Sequence, residues 1–539
     1  MSTTSLCSLN SGWIVQKFGG TSVGKFANEI TLNIVKKYNE SNRVAVVCSA
    51  RSTQTKSEGT TTRLLLASEL AIDDKEEEFK KTLKLIKDDH IKNAENLITN
   101  LEIREKLIND TIYEIDYIEK LLDACCIIGE ISSKSLDNIM SCGEKLSCLF
   151  MTALLNNNGI NSHYINLSNI VNEMDYDNDD HLSNNEKSLD PLFYKKLAKR
   201  ISIEILKLDD NVVPVLTGFF GPVPGGLLNS VGRGYTDLCA AIIAVGLSAN
   251  ELQIWKEVDG IFTADPRKVK FARLLKSVTP DEAAELTYYG SEVIHPFTME
   301  QVINVRIPIR IKNVMNPNGE GTIIYPDNIS KKGEQTPPHP PVSLDKLPSD
   351  YFNKQKMKIP TAVTAKNDIA VVNIHSNKKT LSHGFLANVF SILDKHKTVV
   401  DLISTSEVHV SMAVSYFKDQ RKSFLKVIED LKKFGGVDVT YDLSIVSLVG
   451  IHMKQLIGTA GAMFKILADE QINIEMISQG ANEINISCVI GKENVIKALN
   501  ALHDNLLLHP FRNNKYSLSF TNDSMALDHR IEDLKLSSN

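Results

Sequence analysis

Cysteine is sparse in this 539-residue chain: eight residues, none in a Cys-x-x-Cys spacing. That excludes a disulfide framework and a thiolate zinc site, and Cys125, Cys126, Cys142, Cys148 and Cys239 read as small buried residues. Long apolar runs are missing too. The most continuous, Leu238 to Leu247, falls well short of the roughly 20 residues a membrane helix needs. No basic excess exists to hold nucleic acid, since the net charge is −6. The opening residues MSTTSLCSLNSGW carry neither the basic nor the apolar region of a secretory signal. These absences lead to the expectation of a cytoplasmic protein with no membrane or nucleic-acid partner, and its length predicts about three domains.

What is present centres on Asn229 to Arg267. Gly232, Arg233 and Gly234 form a tight basic turn, Thr236 occupies an expected N-cap, and residues 237 to 247 predict a buried helix. An open helix start beside a guanidinium suits a carboxylate or phosphate. A predicted strand, Leu252 to Val258, then runs into a second polar loop, Asp259 to Arg267. Ligands of open α/β sheets bind where such loops leave the strand ends.

The first predicted strand, Trp13 to Phe18, enters Gly19-Gly20-Thr21-Ser22-Val23-Gly24-Lys25. The two glycines predict close approach of backbone N–H groups to an anion, with Thr21 and Ser22 as hydroxyl donors. Gly19 to Lys25 nearly spells a P-loop, but Phe26 stands where that motif needs a hydroxyl for magnesium. Lys17, on the rigid strand end, is therefore the expected cation for transferring phosphoryl oxygens. Arg43 to Cys48 reads as a buried strand with Ser49 at its exit, and the charged stretch from Leu64 to about Ile131 as a helical scaffold. Glu144, behind Gly143, has two readings: a capping carboxylate at a helix opening, or an anchor for a substrate ammonium. Residues 172 to 190 read as an exposed insertion, and His295 as a structural histidine before Pro296.

Five ordered segments, KFGGTSVGKF (17–26), SCGEKLS (141–147), GRGYTD (232–237), WKEVDGIFTADPR (255–267) and EVIHPFT (292–298), together resemble the aspartate kinases of the amino-acid-kinase family. The resemblance spans nearly the whole chain and is closest to the fungal form. It implies an α/β fold of three layers around a central, mostly parallel sheet, over residues 1–328. It also implies transfer of the ATP γ-phosphoryl group, with Mg2+, to the β-carboxylate of L-aspartate. By position, Lys17, Gly19, Gly20 and Thr21 would hold ATP phosphates, and Lys17 and Asp237 would be catalytic. Ser49, Glu144, Arg233 and Thr236 would bind aspartate, with Glu144 on its amino group. Lys256, Glu257, Phe262, Asp265 and Arg267 would receive the nucleotide, and no protein-held metal site is expected. Lys256-Glu257 replaces a Thr-Asp pair common in the family, Glu292 replaces a lysine, and GRGYTD replaces GRGGSD. Two other readings stay open: a kinase of another carboxylate, and a non-catalytic amino-acid sensor.

A proline- and lysine-rich linker, 329–365, leads to a weak internal repeat. Ile369 to Val414 and Ile445 to Ile490 each read strand, loop, amphipathic helix, strand, Ile-Ser, strand, with Ile374-His375 matched to Ile451-His452 and Ile403-Ser404 to Ile477-Ser478. These units, 366–440 and 441–539, resemble paired ferredoxin-like α+β ACT domains. The resemblance implies a homo-oligomer formed through them and an amino-acid effector, L-threonine by closeness to the fungal enzymes, with lysine as the alternative. Effector contacts would be His383, Gly384, Phe385, Leu386, Val400, Asp401 and Glu407, with Gln479 and Asn482 in the second unit.

Overall fold

The computed structural model describes residues 12–52, 59–171, 191–221, 223, 226–227, 234–290, 294–325, 359–376, 384–406, 409–416, 421–454 and 456–508. Two compact units emerge. The first is built from residues up to 261, 274–280 and the stretch from 294; the second from 262–273, 281–293 and the stretch from 340.

Among the described residues the first unit holds eight strands: β1 (Trp13–Phe18), β2 (Arg43–Cys48), β3 (Ser162–Ile165), β4 (Val213–Thr217), β5 (Glu251–Lys256), β6 (Ser277–Val278), β7 (Ile309–Asn313) and β8 (Thr322–Ile324). Their order is β3-β4-β2-β1-β5-β7-β8-β6. All neighbours are parallel except β7 and β8. Sequences such as RVAVVC carry no polar alternation because both faces are covered. The chain goes one way from β1 to β2 and the other way to β5, so β1 lies where the winding reverses, the place where such sheets bind ligands. Phe18 and Trp255 stack at 6.1 Å between ring centres and fill the core beneath that point.

Helices Thr60–Ile72, Glu76–Leu97, Leu101–Ile128 and Ser133–Asn157 pack on one another around Phe79, Ile118 and Leu146. Their ends are encoded locally. The Asn100 side chain accepts from the N–H groups of Glu102 and Ile103, and Gly129, at φ +73°, closes the same helix. Ser132 caps the next.

In the second unit β9 (Ala362–Ser376), β10 (Val400–Thr405), β11 (His409–Ser415), β12 (Gly435–Val449), β13 (Met476–Gln479) and β14 (Asn485–Gly491) form one antiparallel sheet ordered β10-β11-β9-β12-β14-β13. The repeat is real, and the long β9–β12 pairing merges its halves into a single sheet. Helices Phe385–Lys395 and Arg421–Leu431 cover the first half, and Thr459–Asp469 and Val495–Leu502 the second. Ile403-Ser404 and Ile477-Ser478 occupy equivalent edge strands. The other matched pair is not equivalent: Ile374-His375 lies within β9, whereas Ile451-His452 forms a turn after β12.

Two segments from the middle of the chain belong to this unit. Ala264 and Val269 join the core beneath helix Val495–Leu502, Thr263 Oγ1 lies 2.9 Å from His503 Nε2, and Arg273 donates to the Leu507 carbonyl at 2.9 Å. Glu282, on helix Pro280–Tyr288, accepts from Thr361 Oγ1 at 2.6 Å and from the Ile451 N–H at 3.0 Å.

Candidate active site

Lys17 is the fifth residue of β1, in the central pair of the sheet, and its ammonium lies 2.7 Å from Asp237 Oδ1. Both side chains keep only 13–14% exposure, enough to meet a ligand and little enough to strengthen their attraction over its value in water. Asp237 lies in the first turn of helix Tyr235–Gly246, where a negative charge is favoured.

That helix begins differently from the sequence expectation. Gly234, at φ +117°, is the N-cap, and Thr236 lies inside the helix. Only glycine adopts that backbone without strain. The Thr236 hydroxyl is thereby free of capping and donates to Glu144 Oε1 at 2.8 Å, with Ser49 Oγ 3.5 Å away.

Glu144 also departs from one of its two readings. Helix Ser133–Asn157 runs straight through it, so the carboxylate caps nothing. Gly143 serves close packing instead of a helix start: a Cβ there would come within 2.8 Å of Ala50 Cβ. Glu144 is wholly buried, and Oε2 has no hydrogen-bond partner among the described residues. Burial pushes its pKa up to about 8, and the Thr236 hydroxyl, the Tyr235 phenol and the Lys17 charge pull back only in part. A buried, half-satisfied carboxylate is costly unless something cationic completes it, and a substrate ammonium has the right charge and three donors.

The glycine turn is half as open as expected. Gly19 is an extended N-cap without a side-chain bond, and a Cβ on it would meet nothing nearer than 4.0 Å, so the first N–H groups of helix Gly20–Lys25 have room for phosphate oxygens. Gly20 answers a different need, since a Cβ there would lie 2.0 Å from the Ala50 carbonyl. Thr21 is half-buried, whereas Ser22 is fully buried and its hydroxyl donates to Glu257 at 2.7 Å. Ser22 is therefore no ligand donor; it ties the first loop to the end of β5. Lys256, half-buried, ends that strand.

Gly218 was not singled out from the sequence. A Cβ on it would lie 2.3 Å from Thr236 Cγ2, so the close approach of β4 to helix Tyr235–Gly246 depends on it. A glycine directly after the buried run VPVLT was the available signal. Gly218→Ala is expected to displace Thr236 from Glu144 and to cost about 1–3 kcal/mol of stability through overpacking. Thermal unfolding checks this.

Arg233, Gly232 and Glu292 lie outside the described residues. Phe262, Asp265 and Arg267 fall in the second unit. There Arg267, largely exposed, donates to Asp265 through its backbone N–H and both Nε and Nη2, each at 3.0 Å, and this pairing holds the Asp265 carboxyl below its usual pKa despite the opposing effect of burial. His295 accepts from the Phe297 N–H at 3.3 Å and caps helix Pro296–Ile303, the structural role expected of it.

Elsewhere in the second unit, Gly384 at φ +82° precedes helix Phe385–Lys395, and Gly458 at φ +93° precedes Thr459–Asp469 in the same way. Leu386 is exposed. Phe385 is not: its ring is core, which leaves only its main chain to a ligand. Val400 packs against the same core. Asp401 is engaged by Lys366 at 2.5 Å and Ser415 at 3.0 Å. Gln479 and Asn482 are exposed at the β13–β14 hairpin, where Asn482 donates to Glu285 at 3.4 Å. His383 and Glu407 lie outside the described residues.

Residues 12–313 match the amino acid kinase family, and residues 446–506 match an ACT domain. The chain is 60% identical to the aspartokinase of Candida albicans, over 99% of its own length and 96% of that protein's. It is 58% identical to the aspartokinase of Saccharomyces cerevisiae over 98% of both. Among solved structures it resembles Escherichia coli aspartokinase III in complex with aspartate and ADP, at 26% identity and a TM-score of 0.66, covering 92% of this chain and 99% of that one. With the kinase match extending over more than half of the chain and the two yeast proteins aligned almost end to end, this chain belongs to the aspartokinases of the amino acid kinase family.

Proposed function

We propose that this aspartokinase transfers the γ-phosphoryl group of ATP to the β-carboxylate of L-aspartate, giving 4-phospho-L-aspartate and ADP at the entry to threonine and methionine synthesis. The observation that carries the reading is the unpartnered Glu144 oxygen in the same cluster as the Lys17–Asp237 pair. Glu144 takes the substrate ammonium, steadied by Thr236, and Arg233 takes a substrate carboxylate. The β-carboxylate, ionised at neutral pH, needs no general base. One of its oxygens bonds to the γ-phosphorus as the bond to the β,γ-bridging oxygen breaks. Lys17 offsets charge on the transferring oxygens, Asp237 fixes Lys17, and the Gly19–Gly20 turn donates N–H groups to the phosphates. Such chemistry asks the protein chiefly for positioning and charge compensation. Magnesium bound with the nucleotide neutralises phosphate charge. Lys256 and Glu257, where β5 ends, are the proposed nucleotide side.

L-Threonine is the proposed effector, sensed by the ACT region in a cytoplasmic homo-oligomer through Gly384 and its neighbours. Escherichia coli aspartokinase III has been captured with lysine and aspartate in a T-state, which keeps lysine as the competing effector. Coupled ADP release with aspartate, glutamate or N-acetylglutamate as acceptor separates aspartokinase from a kinase of another carboxylate, and the reading requires turnover with aspartate alone. Threonine should inhibit that turnover in the full chain, with a coupling of about 1–3 kcal/mol, and His383→Ala should relieve it. An enzyme indifferent to threonine but inhibited by lysine would overturn the choice of effector and leave the reaction standing.

A further inference from the structure

Two histidines face each other across the first half of the regulatory sheet. His375 on β9 and His409 on β11 are direct cross-strand partners. Both are exposed, their rings stack at 4.2 Å between centres, and their Nδ1 atoms are 3.1 Å apart. Without a ligand, one Nδ1 carries a proton that the other accepts. With its proton on Nε2, each neutral imidazole presents an Nδ1 lone pair, the form in which histidine binds metal. Two nitrogens each about 2.0–2.1 Å from one ion are about 2.9 Å apart at a right angle and about 3.3–3.4 Å apart at the tetrahedral angle. The observed 3.1 Å lies between, so one ion can span the two nitrogens once the exposed rings turn out of their stack.

Among the described residues the surroundings leave room for one. Opposite His375 on the next strand is Gly436, where a Cβ would meet nothing within 4 Å. One pair further along, the same sheet face carries Asn373, Ser411 and the exposed Asp438, so the patch is polar and includes an anionic group. The backbone is fixed beneath: His409 and Ser406 are bonded through Ser406 N–H to the His409 carbonyl at 2.9 Å and His409 N–H to Ser406 Oγ at 3.2 Å. No role proposed above uses either histidine.

We infer that His375 and His409 form a two-imidazole site for a borderline divalent cation of the zinc or nickel class, with water completing its shell, that cross-ties β9 to β11. Nitrogen ligands select such ions over magnesium or calcium.

Titration of the metal-free full chain with Zn2+ by calorimetry tests this in wild type, His375→Ala, His409→Ala and the double variant. The expected result is one class of site present in wild type and lost or severely weakened in each variant. Second-shell partners alone are worth about 10–100-fold in metal affinity, so loss of one of two ligands weakens binding at least about tenfold. The wild type's Tm should rise with Zn2+ and return with EDTA, and the double variant's should not move. Weak sites shared by all four proteins belong to other histidines. Indistinguishable isotherms in wild type and double variant, or no wild-type binding at all, would overturn the site. Aspartokinase turnover, measured on the same samples, should be unaltered by the substitutions and confirms that each variant is folded.

Discussion

Lys17→Ala is expected to reduce kcat by roughly 10²–10³-fold or more while leaving a folded protein, because it removes the cation proposed to offset oxygens whose charge grows in the transition state. Lys17 is held in place because β1 is hydrogen-bonded on both sides, to β2 and β5. Asp237 would be left with its partner gone in a mostly buried position, at a cost in stability that residual exposure moderates. Asp237→Asn should lower kcat less, since Lys17 remains. The double variant should be little worse than Lys17→Ala, because residues acting as a unit do not add. Circular dichroism and Tm on the same samples separate lost chemistry from lost structure. A Lys17→Ala enzyme with near-normal kcat would remove the basis for the catalytic assignment.

Glu144→Gln should act on the other substrate. Losing the charge opposite a buried ammonium costs about 2–5 kcal/mol, or about 30-fold and upward in aspartate KM, with the ATP KM changed far less. The pH dependence gives a sharper signature. In the unliganded protein Glu144 titrates near 8, so at neutral pH it is mostly protonated, and binding an ammonium requires the carboxylate. Wild-type kcat/KM for aspartate should therefore rise between about pH 7 and pH 8.5, and the glutamine variant should lack that rise. Stability runs in the opposite sense. Because the folded value exceeds the ordinary 4.5, the folded protein retains a proton that the unfolded chain has shed, and stability falls as pH climbs toward 8. Unliganded Glu144→Gln escapes that fall. Relative to wild type it should be more stable at pH 8.5 than at pH 5, a binding defect joined to a stability gain. A uniform loss of both would mark Glu144 as merely structural.

The mostly parallel first sheet and the strand-helix-strand-strand repeat of the second were legible because period and burial are local properties of the sequence. KFGG and RVAVVC announce strands that meet polar loops, and Ile403-Ser404 and Ile477-Ser478 announce equivalent edges. Long-range choices were not legible. Gly143 looked like a helix start because a glycine before an acid often is one, whereas its reason is Ala50, far off in sequence. Thr236 looked like a cap because nothing local reveals that Gly234 adopts a positive φ and releases its hydroxyl to Glu144. Ser22 looked like a phosphate donor until β1 and β5 paired and brought Glu257 to it. The division of the WKEVDGIFTADPR segment, with Phe262 onward in the second unit, depends on core partners such as Leu499 and Leu502 that no local pattern predicts.

The most direct test of the central claim is a hydroxylamine trap for acyl phosphate with the full-length protein, ATP, magnesium and L-aspartate. Aspartyl hydroxamate should form in step with ADP, require aspartate, and vanish in Lys17→Ala. ADP release without hydroxamate, or equal hydroxamate from wild type and Lys17→Ala, would contradict phosphoryl transfer to the aspartate carboxylate at this site.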